Sequence, residues 1–593
     1  MRRTLLLIAL LLFAYPALAQ TKLSEYAGRY TDGTDYVAYF QETPFGLTLR
    51  PALWTATQLL KQESRDEFVV VDRRERGASF HRDAQGHITS VTIRGMEGEG
   101  LQLMRRDRPL LPIEFLLAGQ AQIAAREYVS RDPNDPARII STAQRVLDRF
   151  PSKVRALATF LAIVERHFPR SAKLNALLGD VQMEAGNRRA ALASFRRAYQ
   201  LDSADKQAIA GLARLGALPA DVAAKDNPWK LSFPLEQVFQ PPTVAEIKAV
   251  ETDWRERNLS PKDVEEVTAG TIKFDDDEFR VRIVAHRVDG SKHYGAIILP
   301  INATPGCCPI IVEAKGVSWN YFHLNLSRLD SPSFMADART RFIYVVPSYR
   351  GEVLDFNGKE YKSEGDRTNA WDGATDDAIA LLNVALTTMP EADPNRIAVF
   401  GRSRGGSVAL LMGERDSRIR CVVEWSGPTD WFSLMGTEGW KQQELFAEGL
   451  RTRAKPDETG GQLVEHFLMK AVRGEESLPA VRHRMIAGSP LYFSHRLPQL
   501  QMHYGVEDTS VPVKNGLELA KRLGLRVAKA SHDRKIALAI EKSRALYMRR
   551  GKSEVFFYPG QGHDTDRLLA PILSRDFLID ALLNVKTNKE KIR

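Results

Sequence analysis

The pattern with the clearest chemical potential is G-x-S-x-G at residues 401–405, with Ser403 at its centre. A short apolar run at 397–400 precedes it, and a helix-like run at 407–412 follows it. Strand, motif and helix in this order are the setting of a nucleophile elbow, a tight turn that raises the serine hydroxyl above a sheet edge. The pattern predicts Ser403 as a nucleophile, and the alternative is an ordinary serine in a glycine-rich turn.

A nucleophilic serine needs an acid and a base, which an α/β-hydrolase presents downstream in the order Asp or Glu, then His. Asp508 lies just past a strand-like run at 497–505, on the kind of loop rim where catalytic side chains gather. Glu507, one residue away, is the alternative acid, and a solvated acidic turn is the non-functional interpretation. Asp508 is the preferred assignment.

The predicted base is His563, at the end of a glycine-containing loop that follows a last strand-like run at 552–558. Its imidazole would take the serine proton, while the aspartate holds the tautomer and stabilises the imidazolium. The competing histidines His483, His495 and His503 all precede the acid, so their order is wrong. The predicted triad is Ser403, Asp508 and His563.

From about residue 279 onwards, the chain resembles the catalytic domain of the prolyl oligopeptidase family of serine peptidases. The matching pieces are the runs 288–290, 295–300, 309–316, 345–351 and 371–377, the elbow, Ser489-Pro490, 505–508 and Gly562-His563. The resemblance implies an α/β-hydrolase fold with a doubly wound, mostly parallel sheet. It also implies a peptidase that acts on short peptides through an acyl-enzyme and needs no cofactor.

Two features depart from that family. The residue after the nucleophile is usually aromatic and is here Arg404, and the usual His-Gly-Gly is replaced by Lys-Gly-Val at 315–317. The resemblance implies an oxyanion hole made by the backbone N–H groups of Arg404 and Val317, which any non-proline residue can supply. The arginines beside the serine, Arg402 and Arg404, favour an acidic substrate or pair with the acids near Asp376. Pairing is the preferred interpretation.

Other regions must surround this catalytic machinery, because the chain has 593 residues and several composition changes. Alternating apolar runs at 36–40, 47–50, 68–71 and 88–93 predict antiparallel strands. The predicted organisation is a signal peptide at 1–19, a small antiparallel β-domain at 20–108, an α-helical tetratricopeptide-like region at 110–218, a linker at 219–261, the catalytic domain at 262–585 and a tail at 586–593. Residues 434–486 predict a helix-rich insertion that caps the site, and 517–550 predict a second, basic helical stretch.

The helical region contains one clear match to tetratricopeptide spacing, in which Ala191, Phe195 and Ala198 follow Leu178-Gly179. A solenoid of this kind needs about three repeats, so the preceding helices must complete the bundle. The functional interpretation is a groove that binds a peptide or protein partner. The alternative is a helical spacer packed on the hydrolase.

The N-terminus predicts export. Arg2-Arg3, an apolar core at 5–13 and the small-residue site ending at Ala19 form a signal peptide whose core is too short to span a bilayer. We expect a periplasmic or secreted protein with no stable membrane anchor. The formal charge of +9 is mild for this length, and no basic run with interleaved aromatics suggests nucleic acid.

The chain has three cysteines, Cys307, Cys308 and Cys421. Adjacent cysteines rarely bridge each other and one cysteine must be left over, so a bridge from Cys421 to either of the others stays open. Cys421 opens an apolar strand-like run, which favours a buried free thiol at this position. No metal-ligand spacing is present, so no metal site is predicted.

The leading hypothesis is therefore an exported serine hydrolase, a peptidase of the prolyl oligopeptidase family. A carboxylesterase or acetyl esterase with the same triad is the alternative, since the triad cannot separate the two. A third reading is a catalytically inactive binding scaffold, suggested by the accessory regions and the altered 315–317 loop. The intact Ser, Asp, His order argues against it.

Overall fold

The computed structural model describes residues 22–43, 46–55, 57–71, 73–95, 100–215, 217, 231–316, 323–434, 464–529, 534–565 and 569–584. The chain forms two compact units, of which the first ends at Tyr128 and the second begins at Val129. The predicted signal peptide and tail lie outside the described residues, as does the 435–463 part of the predicted insertion. Among the described helices, none is long and apolar enough to cross a membrane.

The first unit is built on a closed antiparallel barrel of eight strands, which confirms the predicted small β-domain. The strands are β1 Gly28–Thr31, β2 Val37–Thr43, β3 Gly46–Pro51, β4 Gln58–Ser64, β5 Glu67–Val70, β6 Arg73–Arg82, β7 Ile88–Arg94 and β8 Gln102–Arg105. Tyr26, Tyr30, Phe40, Phe68 and Phe80 pack edge to face in its core. Pairing of β1 with β8 closes the barrel and leaves no free strand edge.

Helices follow the barrel, as the sequence predicts. They are α1 Pro112–Leu117, α2 Ala121–Arg131, α3 Ala137–Arg149, α4 Val154–His167, α5 Ala172–Glu184, α6 Arg188–Leu201 and α7 Lys206–Arg214. The ring of Phe195 in α6 lies against Gly179 of α5 and Gly211 of α7, where a Cβ would overlap with it. These glycines let three helices pack closely around one buried aromatic ring.

The segment expected to be a linker at 219–261 contains two helices, α8 Leu235–Val238 and α9 Val244–Glu256. A capping box between Thr243 and Glu246 starts α9. Val250 and Trp254 of α9 are buried in the same apolar cluster as Trp371 of the catalytic domain. The described part of this segment is therefore packed structure, because its two apolar residues stand four apart on one helix face.

The catalytic domain is built on an eleven-stranded sheet. Its strands are β9 Glu265–Phe274, β10 Asp277–Val288, β11 Ser291–Pro300, β12 Cys308–Ala314, β14 Ile343–Ser348, β17 Ala392–Arg402, β18 Ile419–Trp425, β19 Gln499–Gly505, β20 Arg526–Val527, β21 Leu546–Arg550 and β22 Ser553–Tyr558. The order across the sheet is β20-β21-β22-β19-β18-β17-β12-β14-β11-β10-β9. A separate three-stranded sheet joins β13 His323–Asn325, β15 Val353–Phe356 and β16 Lys359–Lys362.

Six neighbouring strands of the sheet, β14, β12, β17, β18, β19 and β22, run parallel to one another. The strands outside this group are antiparallel, beginning with β11 beside β14 and β21 beside β22. Within the described residues, the other α-helices of the domain are α10 Asp330–Met335, α11 Asp372–Thr388, α12 Arg404–Arg415, α13 Trp431–Leu434, α14 Met469–Val472, α15 Leu478–Ala487, α16 Lys514–Arg522, α17 Arg534–Ser543 and α18 Leu569–Leu582. Central strands such as β12 and β14 are buried throughout, as expected where helices cover both faces of a parallel sheet. This is the predicted α/β-hydrolase architecture.

The stretch at 517–550 differs from the prediction of a helical region, because it ends in β21 and extends the sheet. Tyr547 contributes two cross-strand contacts to this pairing. Its ring stacks on Phe556 with centroids 4.9 Å apart, and its hydroxyl donates to Glu554 at 2.8 Å. Cross-strand pairs of this kind stabilise β21 as a strand, although the basic composition of this stretch does not predict one.

The cysteines also correct an expectation, because the adjacent Cys307 and Cys308 form a disulfide. Cys421 is the buried free thiol that the sequence favours, and burial raises its pKa to about 12.

Candidate active site

The turn at Ser403 has the strained geometry of an elbow. Ser403 joins β17 to α12 with φ 57° and ψ −127°, a combination that non-glycine residues rarely adopt. A Cβ at Gly401 would overlap with the carbonyl of Gly405, and one at Gly405 would overlap with the carbonyl of Ala314. Both glycines of the motif are therefore sterically required, and the turn holds the serine at the carboxyl end of its strand.

Asp508 and His563 are in direct contact. The Asp508 Oδ2 atom lies 2.8 Å from His563 Nδ1. The aspartate side chain is fully buried, and its Oδ1 also accepts the backbone N–H groups of Ser510 and Val511 at 2.9 and 2.8 Å. A carboxylate fixed in this way can hold the imidazole in one tautomer, with Nε2 left to receive a proton.

The sheet brings the serine to the same edge. Strands β17, β18, β19 and β22 run parallel, so the residues after their carboxyl ends lie along one rim. Arg402, beside the serine, reaches within 3.5 Å of Asp564, beside the histidine. Within the described residues, the Ser403 hydroxyl makes no hydrogen bond. Catalytic hydrogen bonds often shorten only when substrate is bound.

The electrostatics around His563 favour its charged form. Burial opposes the positive charge, but the Asp508 carboxylate outweighs that penalty, so the pKa of His563 rises above its ordinary value. Arg402 lowers the pKa and Asp564 raises it, both to smaller extents. An imidazolium stabilised by an adjacent carboxylate is what a general base requires after it has taken a proton.

The alternative acid, Glu507, points elsewhere. Its carboxylate accepts the backbone N–H of Ser152 at 3.1 Å and also the Ser152 hydroxyl, and both belong to the turn between α3 and α4. Of the two adjacent carboxylates, the structure brings only Asp508 to the histidine. The Ser152 contact had no local signal in the sequence, because its partner is 355 residues away.

The predicted oxyanion loop starts beside the elbow. A Cβ on Gly316 would lie 2.8 Å from the Arg402 carbonyl oxygen and 3.3 Å from Ser403 Cβ, so this loop passes directly against the nucleophile. Arg404 begins α12, and the N–H of a first helical residue has no partner within its own helix. Val317, the second predicted donor, lies outside the described residues.

Neither arginine beside the serine pairs with the acids near Asp376, which corrects that part of the prediction. The Arg404 guanidinium bonds to the buried Glu352 at 2.6 Å and lies 4.8 Å from the centre of the Tyr349 ring. Burial raises the pKa of Glu352 even though Arg404 opposes this. Arg402 approaches Asp330 at 3.9 Å and Asp564 at 3.5 Å. Pairing itself is present, but with acids that only the fold brings near.

The acids that the sequence pairs with Arg402 and Arg404 bind two other arginines. Asp372 and Asp376, at the start of α11, accept hydrogen bonds from Arg257, which follows α9, and from Arg415, which ends α12. Both aspartates are almost fully buried. This network joins α9, α11 and α12, and no local sequence motif predicts it.

The competing histidines have structural surroundings. His503 is fully buried, with its ring stacked near Phe556 and hydrogen bonds to Tyr558 and Gln501. His483 lies 3.1 Å from Asp253, and His495 is exposed. In the described ranges, no group of three or more His, Cys, Asp or Glu side chains could hold a metal ion.

Comparison with known proteins finds a family match within this domain. Residues 331–544 match the model of the prolyl oligopeptidase family, so the catalytic domain is that of a serine hydrolase. No curated protein sequence matches the chain.

Solved structures that match part of this chain include acetyl xylan esterase 1 from Thermoanaerobacterium sp. JW/SL YS485, at 15% identity and a TM-score of 0.37, with 59% of this chain and 99% of that chain covered. They also include a Mycobacterium tuberculosis puromycin-hydrolyzing peptidase, at 18% identity and a TM-score of 0.33, with 53% and 45% covered. A third is the Pyrococcus horikoshii acylaminoacyl peptidase, at 16% identity and a TM-score of 0.31, with 51% and 40% covered. The chain therefore spans less than half the length of these two peptidases.

Proposed function

Because residues 331–544 match the prolyl oligopeptidase family, we propose that this protein is a peptidase that cleaves short peptides through an acyl-enzyme on Ser403. The observation that carries the proposal is the 2.8 Å contact between Asp508 and His563, on the rim that also presents the strained Ser403. A buried acid, an imidazole and a serine in this arrangement are the parts of a hydrolytic triad.

In the proposed mechanism, Ser403 Oγ attacks the carbonyl carbon of the scissile bond while His563 Nε2 takes its proton. Asp508 holds His563 through Nδ1 and stabilises the imidazolium. The oxyanion receives hydrogen bonds from the backbone N–H groups of Arg404 and Val317, a contribution worth about 10²–10³ in rate per donor in comparable enzymes. His563 then gives its proton to the departing amine, and water hydrolyses the acyl-enzyme by the same steps.

A fluorophosphonate probe tests the nucleophile directly. We expect the full-length protein to label at one serine and Ser403→Ala to lose all labelling. Absence of labelling in the unmodified protein would overturn the proposal and favour the inactive scaffold. A panel of aminoacyl arylamides and short acyl esters then tests the substrate class, and turnover confined to the esters would replace the peptidase with an esterase.

We also propose that the protein is exported through the predicted signal peptide and acts in the periplasm or outside the cell. The support is the sequence pattern at 1–19, with its basic start, short apolar core and small residues before Gln20.

For the helical region, we propose an acidic peptide as the partner. A groove of about 930 Å³ runs along α3 and the α4–α5 connection, with Ile140 and Phe168 in its lining. The charged side chains with fixed sign in that lining are Arg145, Arg170, Lys173 and Asp135. Three cations against one acid favour a negatively charged segment.

Fluorescence anisotropy with dye-labelled peptides of equal length tests this partner. We expect an acidic peptide to bind and a basic one not to bind, and Arg170→Glu combined with Lys173→Glu to weaken binding at least tenfold. Equal binding of the two peptides would contradict the proposal.

A further inference from the structure

A contact between the helical region and the catalytic domain lies one residue from the predicted catalytic acid. Ser152 belongs to the short turn Pro151–Lys153 between α3 and α4. Its backbone N–H and its hydroxyl both donate to the carboxylate of Glu507, one to each oxygen. The turn therefore binds this carboxylate as a bidentate donor.

The position of the Glu507 carboxylate depends on these two hydrogen bonds. The residue is only 5% exposed, so its carboxylate has little access to water. Within the described part of the chain, both hydrogen bonds of this carboxylate come from Ser152. A buried carboxylate that loses one of two donors is destabilised, so removal of the Ser152 hydroxyl would shift the Glu507 side chain towards solvent and its backbone with it.

The backbone of Glu507 belongs to the loop that contains Asp508 and is hydrogen-bonded to the loop that contains His563. Asp508 is the next residue, and the Glu507 N–H donates to the carbonyl of Gln561 at 2.8 Å, two residues before His563. Gly505 packs against the same loop so closely that a Cβ there would overlap with the carbonyls of Gln561 and Gly562. The acid loop and the histidine loop therefore form one packed piece, with Glu507 at their junction.

We propose that Ser152 and Glu507 are positioning residues, through which the helical region holds the acid loop so that Asp508 stays against His563. The inference rests on the proposed function, because it takes Asp508 and His563 as the acid and base of that reaction. It makes the helical region a working part of the catalytic unit, which a passive spacer would not be.

The size of the effect follows from the geometry. The Asp508 to His563 contact is 2.8 Å, and reacting groups displaced by about 1 Å can cost on the order of 10²-fold in rate. Removal of one anchoring side chain should displace the loop by less than that. We therefore expect about a tenfold loss in kcat with little change in KM.

The test uses the full-length protein with Ser152→Ala, and an aryl ester that reacts without binding outside the serine pocket. Ser152 is itself exposed, so alanine there removes the hydroxyl donor, keeps the backbone N–H donor and opens no core cavity. We expect kcat to fall about tenfold, and Ser152→Thr to restore it to within twofold because the hydroxyl returns. Ser194→Ala is the matched control. It removes the helical region's own hydrogen bond from Ser194 to Gln182 at 2.8 Å, and its kcat should stay unchanged.

The pH profile separates positioning from general loss of stability. The charged groups that act on His563 are Asp508, Arg402 and Asp564, and Asp508 is the one that raises its pKa most. A displaced Asp508 lowers that pKa, so the acid limb of kcat/KM moves to lower pH in Ser152→Ala. Ser194→Ala should leave the limb in place, since a merely less stable protein keeps the same titrating pair.

The outcomes are distinct. If the unmodified protein does not label with a fluorophosphonate, the proposed function and this inference fall together. If it labels, and Ser152→Ala keeps the original kcat and acid limb, the positioning role alone is wrong. Should Ser152→Ala fail to fold, as judged by circular dichroism, Glu507→Gln replaces it in the test. We then expect a severalfold loss in kcat and an acid limb shifted to lower pH. An unchanged kcat in that variant would also overturn the inference.

Discussion

At the scale of single residues, two neighbouring carboxylates have separate roles. Asp508 is fully buried and faces His563, whereas Glu507 faces Ser152. The chemistry of an aspartate and a glutamate is nearly the same, so their different roles come from the direction in which consecutive side chains leave a loop. One loop therefore places Asp508 against His563 and Glu507 against Ser152.

The contrast predicts very different costs for two isosteric changes. We expect Asp508→Asn to reduce kcat by about 10⁴-fold, because an amide cannot stabilise the imidazolium and favours the wrong tautomer. Glu507→Gln should lose tenfold or less. Steady-state kinetics on one ester substrate measures both, and a larger loss in Glu507→Gln would mean that the acid has been assigned wrongly.

The raised pKa of His563 predicts the pH dependence of the reaction. The base must be neutral, so kcat/KM should increase with pH through the pKa of His563, with a midpoint above the ordinary histidine value of about 6.5. In Asp508→Asn the residual activity should show a midpoint at lower pH, because burial then dominates. A profile from pH 5 to 9 checks this, and a midpoint at or below 6.5 in the unmodified protein would contradict it.

At the scale of elements, the elbow depends on helices that lie behind it. Arg257 and Arg415 bond the buried Asp372 and Asp376, and so connect α9, α11 and α12. Ser403 immediately precedes α12 and Arg415 is its last residue, so this network holds the end of α12 that is opposite the serine. The helix α9, in a segment that resembles a linker by composition, thereby becomes part of the domain.

Removal of one cation from this network should be costly. We expect Arg257→Met to lower the free energy of unfolding by about 3 kcal/mol, because it leaves buried aspartates short of a partner. Arg287→Met is the control, since the ion pair of Arg287 with Asp263 is largely exposed and should matter little. Urea unfolding of both variants measures the difference, and equal effects would argue against a structural role for the network.

At the scale of the whole molecule, the chain combines a first unit, which contains the closed β-barrel and ends at Tyr128, with a second unit, which contains helices α3 to α7 and the hydrolase. Residues 331–544, which match the prolyl oligopeptidase family, make up only part of the second unit. The barrel and the helices are therefore additions to a serine hydrolase domain, and the Ser152 contact connects the helices to the loop that contains Asp508.

Export predicts the mature N-terminus. We expect the protein recovered outside the cytoplasm to begin at Gln20, because Ala17 and Ala19 supply the small side chains that signal cleavage requires. Intact-mass measurement of the protein from a periplasmic or culture fraction checks this. A protein that keeps residues 1–19 and stays in the cytoplasm would contradict the proposed location.

The sequence by itself determined the fold class and the order in which Ser403, Asp508 and His563 occur. This was possible because G-x-S-x-G is a local backbone requirement, and because the carboxyl ends of parallel strands meet on one edge of a sheet. Only the tertiary structure decided that Asp508 faces the histidine, that Arg404 pairs with Glu352, and that α9 packs on the domain. These outcomes rest on contacts between residues far apart in the chain, such as the 355 residues between Ser152 and Glu507, and local patterns carry no record of them.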